Sequence, residues 1–469
     1  MNNYIKILFF LLLYTSCSKE NDFIEDISLP PVIDVPAKFI SKSEVYSDIN
    51  ETVGNIITQK YTDKFFSKDE IFSVLKQSVN GINYYSHTKA SVQYDFFNDG
   101  KVDFFGFSFG NGEVVKGKYI LIEDINDNPK EPIIFDSDLY AASTALLSDT
   151  NGDGSMEILF FSENNHGFQC GDNTTGYLEN ILRISINENR DIIQERIGTT
   201  PVGTHDGTTG DIDNDGDIDI IVWPTGISDC KNSNNITLPI KLINDGNGNF
   251  SEYPFFYDED ILISEGFTDW VFTSYYLFDI DGDDILDLIG GLYMNKVDPR
   301  FNDESFNNSR KHLTDSGLYV IYGEGAGEFS YENIKYIKNS VFSNETQLLY
   351  GITFTDYNGD GNYDILTSSY VIDTSTSINI DGDNYVINLF KNNRNNNFEN
   401  VTESVIDGYY DLTGSSFTNF YSPMIHDIDG DGDYDIVASN YHWATQVNLV
   451  KLLYWEKNGS TYIRREISN

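Results

Sequence analysis

Six short stretches of this sequence hold the residues best suited to chemistry. Each carries oxygen-bearing side chains at alternating places over nine residues. The first offers Asp95, Asp99 and Asp103, and the second Asp149, Asn151, Asp153 and Glu157. The third offers Asp211, Asp213, Asp215 and Asp219, and the fourth Asp279, Asp281, Asp283 and Asp287. The fifth has Asp356, Asn358, Asp360 and Asp364, and the sixth Asp427, Asp429, Asp431 and Asp435. These residues stand at positions 1, 3, 5 and 9 of their loops. Calcium takes about six to eight oxygens in a flexible shell, which alternating acids and one backbone carbonyl supply. A glycine at the sixth position permits the sharp turn, and Asp284 replaces it in the fourth loop. Magnesium wants a tighter octahedron with more water and fits less well. No Cys or His accompanies the acids, which disfavours zinc. Five to six calcium ions are expected, because Phe97 stands where the third-position oxygen of the first loop should be.

These loops need elements to hold them. Each is followed by an apolar pair: Phe104-Phe105, Ile158-Leu159, Ile220-Ile221, Leu288-Ile289, Ile365-Leu366 and Ile436-Val437. Apolar or aromatic segments such as Tyr275 to Phe278 precede them, so each loop reads as the turn of a hairpin. A second turn rich in Gly and Asn comes later in the repeat, as at 244–249, 323–327, 392–397 and 457–459. The loops begin 54, 62, 68, 77 and 71 residues apart. A repeat of four strands, recurring radially, predicts an all-β fold: a β-propeller of six four-stranded blades. A seventh blade without the motif would come from residues 38–85. A helical calcium hand is excluded, because the twelfth positions (Gly106, Phe160, Val222, Gly290, Thr367, Ala438) supply no Glu.

Asp-x-Asp-x-Asp-Gly-x-x-Asp at this spacing resembles the FG-GAP/VCBS repeats, as in the integrin alpha-subunit propeller. The resemblance covers residues 86–469. It implies a propeller with calcium in the first hairpin of each blade. The metal is expected to act as a staple that stiffens the scaffold.

The N-terminus reads as an address. An apolar run from Ile5 to Leu13 is too short to span a bilayer and suits a signal peptide over residues 1–16. Leu13-Tyr14-Thr15-Ser16-Cys17 resembles a bacterial lipobox, with Tyr14 where Leu is more usual. That resemblance implies cleavage before Cys17 and lipidation of its thiol. Ser18-Lys19-Glu20-Asn21-Asp22 looks like the acidic surface-export tag of Bacteroidetes lipoproteins. Residues 17–37, with Pro30, Pro31 and Pro36, read as a tether. Residues 38–85 form an N-terminal extension with one short helix, opened by the capping box Ser67-Lys68-Asp69-Glu70. The expected location is therefore the bacterial outer membrane, lipid-anchored and surface-exposed, with membrane contact through the anchor alone.

A formal net charge of -44, from 74 acids against 30 Lys and Arg, repels phosphates and excludes nucleic acid as a partner. Aromatics at 14 % argue against a disordered acidic tail. If the metal loops occupy one end of each unit, the other end carries the long, varied connections, where function commonly sits. His205, Trp270, Tyr370, His442 and Trp443 fall there. Aromatics with polar neighbours suit sugar rings, and the same residues equally suit packing between blades. Cys170 and Cys230 occupy the same connection in consecutive repeats, either as a disulfide or as two free thiols. His426, just before Asp427, reads as a strand residue. The sequence thus points to a surface protein that binds a glycan or an envelope or extracellular protein. The alternative is a polysaccharide lyase or hydrolase on the same scaffold. No nucleophile elbow, zinc signature or phosphate loop supports catalysis, and no catalytic pair stands out among so many acids.

Overall fold

The computed structural model describes residues 78–79, 82–101, 103–110, 116–124, 130–139, 142–162, 180–200, 203–204, 206–224, 238–257, 272–292, 317–338, 346–372, 385–394, 397–411, 420–426, 433–440 and 451–468. All fall within one compact unit, Pro36–Asn469. The signal peptide, Cys17, the tether and residues 67–77 of the expected helix lie outside the described residues. The last residues of that helical stretch, Ser78–Val79, are strand. The first sheet therefore begins ahead of residue 86, with Ile82–Tyr94 as its first long strand.

Six antiparallel sheets follow one another along the chain, and in each the strands pair in sequence order. The third shows the pattern: Thr208–Gly210, Asp219–Val222, Ile240–Asn244 and Phe250–Pro254. The second runs from Thr144–Ser148 to Ile192–Ile197, the fourth from Phe272–Phe278 to Phe329–Lys338, and the sixth from Phe420–His426 to Thr461–Ser468. The first adds the short leading strand, and the fifth adds Tyr410–Asp411 beside Tyr385–Asn392. The single described helix, Thr402–Val405, is one turn long.

The apolar pairs after each loop explain how the sheets stack. Successive side chains on a strand point to opposite faces. In the third sheet Ile221 and Trp223 face the fourth sheet, where they meet Phe272, Tyr275 and Leu277. Ile220 and Val222 face the second, where they meet Leu146, Leu159 and Phe161. Two adjacent apolar residues are needed because both faces are covered. The other junctions repeat this: Phe105 with Phe160 between the first and second sheets, Phe278 with Phe354 between the fourth and fifth, and Leu366 with Trp455 between the fifth and sixth. Phe278 and Phe354 stack with ring centroids 4.2 Å apart. First strands of neighbouring sheets also touch, as Ile82–Tyr94 touches Thr144–Ser148 and Phe272–Phe278 touches Thr346–Thr355.

Candidate metal centres

Each acidic loop joins the first and second long strands of its sheet. The residue before the loop pairs across the ladder with the ninth-position acid, as Gly210 with Asp219, Phe278 with Asp287 and Thr355 with Asp364. That acid opens the second strand and is buried, with Asp219 and Asp364 fully inaccessible. In the first, third, fourth and fifth loops its carboxylate accepts from two backbone amides, whereas Glu157 accepts from Thr150 N and Oγ1 and from Asn151 Nδ2. Asp219 accepts from Ile212 N at 3.0 Å and from Asn244 N at 2.8 Å. Asp287 accepts from Ile280 and Gly323, Asp364 from Tyr357 and Asn392, and Asp103 from Phe96 and Asp124. One side chain thus ties the start of the loop to the end of the third strand. Loss of water pushes these carboxyls up from the usual 3.8: Asp103 to about 6, Asp219 and Asp364 to about 7, and Asp287 to about 8. The field of neighbouring acids adds to the effect, against the two amide bonds.

The first-position acid shapes the turn. Asp211 accepts from Asp215 N and Gly216 N, both at 3.0 Å, and Asp149, Asp279 and Asp356 do the same in their loops. The fourth and sixth positions are both left-handed, at φ 61° and 98° for Asn214 and Gly216 and 70° and 80° for Gly359 and Gly361. Asp284 takes the glycine's place at φ 65°, a conformation that Asp tolerates better than most residues. The fold of the loop therefore survives that substitution. The second-position residue turns the other way: Ile212, Ile280 and Tyr357 are buried in the cores between sheets.

This backbone brings the acids together. Ligand oxygens of Asp149, Asp153 and Glu157 lie within 4.8 Å of one another, as do those of Asp211, Asp213 and Asp215, and of Asp279, Asp281 and Asp287. Asp213 Oδ1 is buried and accepts no hydrogen bond, an arrangement costly for a carboxylate oxygen unless a cation meets it. Burial and the neighbouring charges of Asp215 and Asp211 hold the Asp213 carboxyl above its ordinary range. An all-oxygen, multiply charged donor set with an orphaned oxygen fits a hard divalent ion. In the fifth loop the acids do not converge as closely among the described residues. Asp364 is one methylene shorter than Glu157, and Asp360 Oδ2 faces Asn358 Nδ2 at 3.0 Å and Lys391 Nζ at 3.7 Å. Of the sixth loop's candidate ligands only Asp435 is described. It is buried and accepts from Lys457 N at 2.8 Å, as its counterparts do.

No family model matches this chain, and no curated protein matches it. Solved structures do match. One is a protein of unknown function from Dyadobacter fermentans, at TM-score 0.36 and 11% identity over 68% of this chain and 93% of that one. Another is cobalt-substituted ACO from Synechocystis, at TM-score 0.32 and 8% identity over 63% of this chain and 60% of that one. A third is rhamnogalacturonan lyase YesW, at TM-score 0.31 and 10% identity over 80% of this chain and 59% of that one. Likeness at this level leaves the chemistry to the residues themselves.

Tyr370 lies in Asp364–Ile372, six places along the strand from Asp364, so its backbone is near the end away from the acidic loop. His205, Trp270, His442, Trp443, Cys170 and Cys230 lie outside the described residues, as do Asp427, Asp429 and Asp431. His426 closes its strand opposite Asp435.

A second set of residues escaped sequence reasoning. The turn joining the third and fourth long strands packs on the acidic loop of the preceding sheet. Asn244 Nδ2 donates to Thr150 O at 2.7 Å, Gly327 N to Ile212 O at 2.9 Å and Asn392 Nδ2 to Ile280 O at 2.8 Å. Lys241 reaches Gly327 O from the third sheet. The glycine- and asparagine-rich second turns were visible in sequence. Nothing there told that those at 244–249, 323–327 and 392–397 buttress a neighbour's loop.

Proposed function

We propose that this chain is a calcium-stabilised β-propeller of the FG-GAP/VCBS type, lipid-anchored through Cys17 at the bacterial outer membrane. Its working surface is the end of the sheets away from the metal loops, and its ligand is a glycan or a partner protein. One observation carries the reading. The acidic loops join the first two long strands of their sheets, and the second, third and fourth are buttressed by the next sheet's turn, so that end is committed to structure. The connections between second and third long strands leave from the other end and are free to vary. Sheets covered on both faces, with first strands in contact, support a radial arrangement of six blades. Calcium, when bound, would supply the positive charge that holds the loop carboxylates together.

A glycan array probed with the calcium-loaded chain beginning at residue 18, with and without chelator, tests this. Calcium-dependent binding to one sugar class is expected. A blank array together with no capture of envelope protein would overturn the binding role. Release of ultraviolet-absorbing ends or of reducing ends from a polysaccharide would replace it with a lyase or a hydrolase.

A further inference from the structure

The first acidic loop keeps the fold of the others while replacing the oxygen-bearing side chain at its third position. Asp95 accepts from Asp99 N at 3.0 Å and Gly100 N at 2.8 Å, as Asp211 does from its own loop. Asp103 makes the same two backbone bonds as Asp219. At the third position, however, Phe97 packs against the core between the first and second sheets.

The partner of that position changes with it. The buttressing turns are five residues long, at 187–191, 245–249 and 324–328, each closed by a bond from the first N–H to the last carbonyl. Their fourth residues are Arg190, Gly248 and Gly327, all left-handed at φ 67°, 78° and 73°. A Cβ on Gly248 would come within 3.3 Å of Asn151 Cβ, and one on Gly327 within 3.4 Å of Asp213 Cβ. Both neighbours are third-position residues of the preceding sheet's loop. Arg190 meets the equivalent residue too, its guanidinium 4.8 Å from the centroid of the Phe97 ring. An oxygen ligand facing glycine in the second and third loops becomes an aromatic ring facing arginine in the first. Arginine adopts left-handed backbone at a cost that glycine escapes, so this exchange needs a return.

The return is charge. Arg190 donates to both carboxylate oxygens of Glu123, at 2.5 and 2.7 Å, and Glu123 also accepts from Lys130. The acids Asp103 and Asp99 add their field at the guanidinium. Lys101, at the seventh position of the loop, bonds Asp124, where the third loop has the acid Asp217. A flat delocalised cation sits well on an aromatic face, where a dication needing oxygen donors does not. Beside the second loop, Arg183 is bonded instead to Thr150 Oγ1, the Gly248 carbonyl and Glu195, and Asn151 keeps its oxygen.

We infer that the first loop is built to work without a metal ion, its cation being the Arg190 guanidinium seated on Phe97. This rests on the calcium reading of the other loops. Calcium bound per chain, counted by equilibrium dialysis, tests both. Asp95→Asn with Asp99→Asn leaves the count unchanged, whereas Asp211→Asn with Asp215→Asn lowers it by one. Phe97→Asp with Arg190→Gly raises it by one. Loss of an ion on changing Asp95 and Asp99 overturns the inference while leaving the calcium reading intact. No loss on changing Asp211 and Asp215 overturns the calcium reading instead. A separate measurement needs no count: Arg190→Met lowers the melting temperature by the same amount in calcium and in chelator. A fall seen only in chelator means that calcium fills the first loop and overturns the inference.

Discussion

The first and third loops share a backbone and differ in what neutralises it. In the third, Asp211, Asp213 and Asp215 converge, and Asp213 Oδ1 is left buried without a hydrogen bond. In the first, an aromatic ring and the arginine above it occupy the corresponding place. The difference separates two jobs that sequence motifs merge. The first- and ninth-position acids make the loop fold by accepting backbone amides, and they do so in both loops. The third-position residue decides what supplies the positive charge.

The largest way to break this comparison is to remove the ion. At millimolar calcium and a Kd of ~0.1 mM, each occupied site contributes ~1.4 kcal/mol. Several such sites amount to a large share of a domain's ~5–15 kcal/mol. Melting followed by circular dichroism should shift strongly downward in chelator. Superimposable curves would remove the metal from the account of the converging loops.

A pH series in chelator comes next. The folded-state pKa values of Asp219, Asp364 and Asp287, at about 7, 7 and 8, lie above the unfolded value of 3.8. Between those limits the native state binds more protons, so metal-free stability falls as pH rises from about 4 to about 8. Denaturant midpoints at pH 5 and pH 8 should show the lower value at pH 8, and calcium should narrow the gap. A midpoint that rises with pH in chelator would contradict the burial argument.

Truncating a ninth-position acid separates the two loops. Asp219→Ala orphans the amides of Ile212 and Asn244, at a cost of about 2–4 kcal/mol by denaturation. Part of that cost should vanish in chelator. Asp103→Ala should cost the same with and without calcium, since Arg190 serves that loop in both conditions.

The smallest effect expected is a gain. Asp284 holds φ 65° where the other described loops place glycine. Asp284→Gly should add about 0.5 kcal/mol, the relieved strain exceeding the extra unfolded-state entropy. A loss in thermal melting would mean that the Asp284 side chain serves the site.

Much of the fold was legible because its signals are local. The Asp-rich loop followed by an apolar pair announces a hairpin, and Ile220-Ile221 and Leu288-Ile289 announce strands covered on both faces. Candidate positions could be numbered from spacing alone, and three acids of each of the second, third and fourth loops lie close together. Less legible were the inward second-position residues Ile212, Ile280 and Tyr357. Their apolar character, alternating with the acids, was the available signal. The start of the first sheet, at Ser78, had no motif to mark it.

The sequence by itself determined the loop: which atoms can face a cation, where the chain must turn left-handed, and that strands flank it. Those properties depend on a few neighbouring residues and on backbone sterics. Tertiary structure decided which residues support each loop from outside. Arg190 lies far along the chain from Phe97, and Gly327 from Asp213. Their meeting depends on one sheet stacking on the next, so the charge balance of the first loop and the wall beside the third are completed only when the neighbouring sheet has folded beside them.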